Sequence, residues 1–260
     1  MSVRSVDLNS DMGEGFGVYE IGDDRAMLGI VTSANIACGF HAGDPLVMHK
    51  TMALARDKGV DIGAHPGFLD LWGFGRRPIF GDSPADIEKM LIYQLGAAQA
   101  MAASLGARVT HIKTHGSLGN MAARDADLSQ AIVRATLAVD RDLIFVTAPF
   151  NETDTAARRA NLRVASEIFA DRAYDDTGYL MARKLPGAVL HDASFAAERL
   201  ARMIDAGAII SESGRKFPTA IDTICVHGDN PAAVAMAGKV RETLAQLGFD
   251  IVPMSKLGRF

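Results

Sequence analysis

At 260 residues, with 48% hydrophobic and 22% charged side chains, the chain is long enough to bury a large core and too apolar for wholesale disorder. A formal net charge of −4 gives no general attraction to nucleic acid or to an anionic membrane, so the expected partners are small polar molecules. There is no run of 18 apolar residues and no signal-peptide core, and the expected compartment is the cytosol. Cys38 and Cys225 form neither a disulfide framework nor a CxxC metal clip, and both read as buried reduced thiols.

Seven short apolar runs, at 5–8, 33–38, 61–64, 109–113, 143–147, 164–169 and 221–226, alternate with longer helical patterns. That order predicts parallel strands joined by crossover helices, closed as a single (β/α) barrel over 1–260 with no domain boundary. Ser83-Pro84 with Asp86 reads as a capped helix start, and Ile87, Leu91, Leu95, Ala98, Met101 and Leu105 follow at helical spacing up to Gly106. Met90 belongs to the same filler. Asp125 and Asp127 read as the start of the next helix. The helix near 195–206 stops at Gly207, and AIISESGRKFP then reads as an inserted hairpin turning at Ser213-Gly214. Asn230-Pro231 opens a last helix, carrying Val234, Ala237, Val240, Leu244 and Leu247 on one side. The closing FDIVPM has strand character, and its pattern does not decide whether an eighth strand forms.

Polar clusters follow these strands, and in α/β barrels the loops at the carboxyl ends of the strands build the active site. The first strand runs into DLNSDMGEG, with Asn9, Asp11 and Glu14. Asn35 and His41 follow the second strand, His65 the third, and Lys113, His115 and Asn120 the fourth. The sixth adds Glu167, Asp171, Arg172 and Tyr174, and the seventh His227 and Asp229. Four of the seven histidines, at 41, 65, 115 and 227, have a glycine within two positions. Glycine lets the backbone turn sharply beside a ligand, and imidazole can donate, accept or bind metal near neutral pH. A single strand-end His is more often a hydrogen-bonded turn residue, and Asp11 or Glu14 alone would cap a helix. Their convergence on one rim argues for function, because gathering acids and imidazoles is costly unless they pair or bind something. Arg76 and Arg77, in the loop of Trp72, are equally suited to holding a carboxylate or to lying in solvent.

Six ordered motifs, DLNSDMGEGFG at 7–17, SANIACGFHAGDP at 33–45, GAHPGFLDLWGFGRR at 63–77, HIKTHGSLGNMA at 111–122, EIFADRAY at 167–174 and DTICVHGD at 222–229, resemble the successive signatures of the LamB/YcsF family. The resemblance implies a seven-stranded (β/α) barrel like that of the glycoside hydrolase/deacetylase superfamily. It also implies the work of a 5-oxoprolinase A subunit, opening 5-oxoproline to L-glutamate with ATP hydrolysis together with subunits B and C. On this reading Asp11 or Glu14 is the base acting on water, and Lys113 with His115 stabilises the oxyanion. His41 and His65 orient the nucleophile or protonate the leaving nitrogen. Asn9, Asn35, Asn120 and Arg172 hold the carboxylate and ring amide, and Glu167, Asp171, His227 and Asp229 complete the substrate-binding set. The chain lacks a GxxxxGK[ST] loop, so ATP chemistry is expected to be shared with the partners.

Two stretches depart from the family pattern: KTHGSLGN replaces the usual KPHGALYN, and TAPFNET replaces a small Ala-Gly-Ser turn. Thr114, Gly119, Pro149 and Phe150 are therefore expected to set substrate choice, with Gly119 and Phe150 at the ligand. Other readings remain open at this point. One is a paralogue acting on another lactam. A second is a metal-dependent deacetylase-like hydrolase using Asp11, His41 and His65, which come from different strands, for a divalent ion. A third is a non-catalytic ligand-binding scaffold subunit.

Overall fold

A computed structural model describes residues 4–228 and 231–260. Six parallel strands come first: β1 (Arg4–Met12), β2 (Ser33–Ala37), β3 (Asp61–His65), β4 (Val109–Lys113), β5 (Ile144–Thr147) and β6 (Arg163–Phe169). The antiparallel hairpin β7 (Ala208–Ile210) and β8 (Lys216–Pro218) interrupts them, as the Ser213-Gly214 turn predicts. β9 (Thr223–Cys225) then pairs with both β6 and β1 and closes a seven-stranded parallel barrel. FDIVPM does supply one more strand, β10 (Phe249–Ile251). It joins only the start of β1, at 4–6, and stays outside the ring.

Outside the ring lie α1 (Asp24–Met27), α2 (Pro45–Asp57), α3 (Pro84–Ser104), α4 (Gly116–Ala122), α5 (Ala126–Val139), α6 (Glu152–Arg159), α7 (Ala193–Ala206) and α8 (Pro231–Gln246). Their starts are set chemically. Asp44, Ser83, Asp125, Asn151 and Asp192 each accept a first-turn N–H, which satisfies donors that a helix start leaves unpaired. α7 ends at Gly207 in the left-handed conformation, where a Cβ would be strained. The cap expected at Asn230 lies outside the described residues. Among those described, no helix is long and apolar enough to cross a membrane.

Side chains alternate across each strand, and this decides what faces inward. On β1, Val6, Leu8 and Met12 join the apolar layer beneath the helices, while Asp7, Asn9 and Asp11 turn into the lumen. The opposite strands answer with Ser33, Asn35, His111, Lys113, Glu167, Thr223 and Cys225. The amino-terminal end of the lumen is apolar. Ile144, Val146 and Ala165 meet Met254 and Leu257 there, and the chain's last turn acts as a plug. Gly63 faces the ring of His111, and a Cβ at that position would overlap it.

Asp7 is fully buried and accepts from Thr32 Oγ1 at 2.8 Å, Ser33 Oγ at 2.6 Å and Thr223 Oγ1 at 2.5 Å. Burial pushes its carboxyl up to about 7, against the pull of those hydroxyls. A folded-state pKa above the unfolded value means that folding favours the protonated form. The stabilisation is complete below the ordinary carboxylate range and is lost as pH rises through about 7. Urea unfolding of the wild type should therefore show a loss of up to roughly 4 kcal/mol between mildly acidic and mildly alkaline pH, from a shift near three units. Asp7→Asn should flatten that slope; parallel slopes would remove Asp7 as its source.

Candidate active site

The carboxyl ends of the strands open into a cleft of about 1070 Å³. Asp11, Glu14, His65, Lys113, His115, Glu167 and His227 all line it, together with Phe169 and the loop around Tyr179. Each acid or base follows or ends a parallel strand, so the barrel register brings together groups far apart in sequence. Gly116, at φ +52, turns the chain from His115 directly into α4, and its missing Cβ admits the Gly75 carbonyl.

Lys113 is the centre of the lumen network. Its ammonium lies 2.8 Å from Glu167 Oε1, 3.1 Å from Asp11 Oδ1, 3.2 Å from Cys225 Sγ and 3.3 Å from Asn9 Oδ1, with the Phe169 ring 5.2 Å away. Burial opposes the charge, yet the carboxylates of Asp11 and Glu167 hold the ammonium well above its ordinary pKa. Burial likewise works to raise Asp11, but the neighbouring His65 and Lys113 outweigh it and keep Asp11 ionised, well below the usual range. Asn35 Nδ2 fixes the same carboxylate at 2.8 Å. Burial pushes the Cys225 thiol well up, so it stays protonated and inert.

A second cluster sits beside the first. Ligand atoms of Glu14, His41, His65 and His115 all lie within 4.8 Å of one another, a grouping able to hold a metal ion. Burial and the charge of Asp11 raise the Glu14 carboxyl. Burial holds His115 neutral, down at about 3, with His41 and His65 adding to the effect.

At the opposite wall, His227 Nδ1 donates to Asp171 Oδ2 at 2.6 Å, and its Nε2 lies 3.3 Å from Arg183 Nη2. Burial lowers the imidazole, but Asp171 more than compensates and raises its pKa. The pairing with Asp171 favours the charged imidazole.

A family model described as the LamB/YcsF family matches residues 6–259. The chain belongs to the LamB/YcsF family. A relative from Gluconobacter oxydans, named as the A subunit of 5-oxoprolinase, is 54% identical over 251 residues, covering 96% of this chain and 98% of its own. One of the same name from Rhodopseudomonas palustris is 51% identical, covering 96% and 99%. The crystal structure of a lactam utilization protein from Thermus thermophilus superposes with a TM-score of 0.90 at 40% identity, covering 95% of this chain and 99% of that one. A peptidoglycan N-acetylglucosamine deacetylase domain from Eubacterium rectale shares the fold, with a TM-score of 0.53 at 9% identity, covering 99% and 91%.

Within this LamB/YcsF barrel the expected site residues divide by depth. Asp11, Glu14, His65, Lys113, His115, Asn120, Glu167, Arg172 and His227 line the cleft. His41 does not. It is fully buried behind His115, with ring centroids 3.6 Å apart. Asn9 and Asn35 lie deeper, saturated by Thr223, Glu167, Asp11 and His111, so they hold the network and not a ligand. Asp171 sits behind His227. Arg172 lines the wall but donates to the carbonyls of Met181 and Ala188, at 2.6 and 3.2 Å. Asp229 falls outside the described residues. Arg77 pairs with Asp70, while Arg76 faces the cleft and stacks over Phe74.

The divergent positions need two corrections. Gly119 does line the cleft, but within α4 instead of a loop, and a Cβ there would meet Thr114 Oγ1 at 2.8 Å. The threonine hydroxyl occupies the space that a side chain at 119 would need. Pro149 lines the cleft, whereas Phe150 turns away at φ +69 with its ring 6.4 Å from that of Phe217. Sequence reasoning passed over His111 and Arg183, while its reading of Cys225 as a buried reduced thiol holds. His111 was within reach, since it lies two residues before Lys113 on one strand face.

Proposed function

We propose that the chain is the A subunit of an ATP-dependent 5-oxoprolinase, working in the cytosol with B and C subunits to open 5-oxoproline to L-glutamate. The reading rests on the near full-length identity, at half of all positions, with relatives bearing that name.

The cleft supplies groups suited to the reaction. Opening a lactam needs a nucleophilic water, charge to offset the oxyanion and a proton for the leaving nitrogen. Asp11 faces the cleft as a carboxylate at any working pH, and it orients the water and receives its proton. The charges that keep it ionised also weaken it as a base, so the transfer falls late in the step. His227, raised by Asp171, protonates the nitrogen. The three protons of Lys113 are engaged by Glu167, Asp11 and the Asn9–Cys225 pair, which makes it a positioning cation more than an open oxyanion donor. Arg76 and Arg183 offer guanidinium charge to the substrate carboxylate.

An unactivated amide gains little on ring opening, so the drive comes from ATP, and no phosphate-binding loop is present in this chain. The nucleotide chemistry is accordingly placed with the partners. The pure chain is expected to hydrolyse neither ATP nor 5-oxoproline, and glutamate release should require all three subunits plus ATP. Omitting each subunit in turn is the test. Robust ATPase or lactamase activity from this chain alone would overturn the assignment.

A further inference from the structure

With both imidazoles neutral, two ring nitrogens in the cleft face each other as lone pairs. His65 Nδ1 is 2.7 Å from the Lys113 carbonyl oxygen, which only accepts, so Nδ1 carries a proton and, in the neutral ring that a metal would require, Nε2 is bare. His115 Nε2 is 2.8 Å from the Phe74 carbonyl oxygen, so by the same reasoning its Nδ1 is bare. These bare atoms, His65 Nε2 and His115 Nδ1, stand only 3.0 Å apart. Glu14 Oε1 lies 3.5 Å from His115 Nδ1, and Asp11 Oδ2 lies 3.3 Å from His65 Nε2. One extra proton on His65 bridges one pair of these acceptors and leaves the others opposed. A divalent cation satisfies three at once.

We propose that Glu14, His65 and His115 bind a divalent metal ion of the zinc class, with a coordination position open to the cleft. A tetrahedral ion with bonds of 2.0–2.2 Å keeps its ligand atoms about 3.3 Å apart, and the two separations of 3.0 and 3.5 Å straddle that value. All three residues line the cleft. Each imidazole already donates its other N–H to a backbone carbonyl, the second contact that ligating histidines make. Two nitrogens and one carboxylate suit zinc better than magnesium or calcium.

His41 lies outside the coordination sphere. Its ring is parallel to His115 within 4°, and stacked rings cannot both aim lone pairs at one ion. Its Nε2–H instead donates to Glu14 Oε1 at 3.3 Å, orienting the carboxylate. The set expected from sequence, Asp11, His41 and His65, is thereby redrawn, since Lys113 and Asn35 already engage Asp11.

The metal site lies in the same cleft as Asp11, and its test needs no turnover. The full chain is stripped with a chelator and titrated with zinc chloride by calorimetry and with cobalt chloride by visible absorption. One ion per chain is expected, with the intense bands of low-coordinate cobalt. His65→Ala and His115→Ala should abolish both signals, whereas His41→Ala should weaken affinity about 10–100-fold and keep the stoichiometry. Should either ligand variant fail to fold, nitrogen-15 spectra of the wild-type imidazoles decide. Metal-free protein is expected to show His65 protonated at Nδ1 and His115 at Nε2, with zinc shifting the opposite nitrogens. A doubly protonated His65 that zinc leaves unchanged overturns the proposal, as does full cobalt binding by both alanine variants. Metal bound as expected in a complex that releases no glutamate would sink the oxoprolinase reading alone.

Discussion

Asp11→Asn is expected to lower kcat of the reconstituted three-subunit reaction by roughly 10²–10⁴-fold, the usual contribution of a positioned acid or base. The amide keeps an oxygen for Asn35 Nδ2 and Lys113 Nζ, which lie 2.8 and 3.1 Å from Asp11 Oδ1, so the packing survives while the proton acceptor is lost. Because the carboxylate acts on water and not on the ring, KM should move far less than kcat. Steady-state kinetics with 5-oxoproline and saturating ATP measure both. His227→Gln provides the comparison on the leaving-group side, with its own loss of kcat. Activity of Asp11→Asn within a few-fold of wild type, in a folded protein, would take Asp11 out of the chemistry.

Lys113→Met should cost about 3–5 kcal/mol of stability near neutral pH, the usual penalty for removing one partner of a buried ion pair. The ammonium is nearly inaccessible and sits between two carboxylates, Asp11 and Glu167, that would be left facing each other across the lumen. In the wild type the depressed Asp11 contributes stability above the ordinary carboxylate pKa and loses it as pH falls. In the variant the sign reverses. With the ammonium gone, burial is left to raise Asp11, so the deficit should shrink on acidification and grow as pH rises. Adding Glu167→Gln should recover part of the loss. Urea unfolding of the single and double variants at two pH values gives the coupling directly. A pH-independent deficit, with no recovery in the double variant, would mean that Lys113 contributes packing and not charge.

Order along the chain was readable because it depends on local physics. Apolar runs at strand length between helical patterns marked the seven strands of the ring, and Ser83-Pro84, Asp125 and Gly207 marked helix ends through backbone donors and a left-handed turn. The rim was readable for the same reason, since whatever follows a parallel strand lies at one end of a barrel. Depth was not readable. Whether Asn9 and Asn35 met a ligand or the protein depended on Thr223, Glu167 and His111, which arrive from strands more than 70 residues away. The period-two alternation could indicate a shared face, but not that Lys113 would spend its protons on that face. Phe150 was misplaced because its direction follows from a positive φ that no residue type at 150 announces. Gly119 lines the cleft as expected, but that the space beside it belongs to the Thr114 side chain was not legible in the sequence. Which nitrogen of His65 and His115 carries the proton was decided last of all. It depends on two carbonyl oxygens, Lys113 and Phe74, whose positions exist only once the barrel has closed.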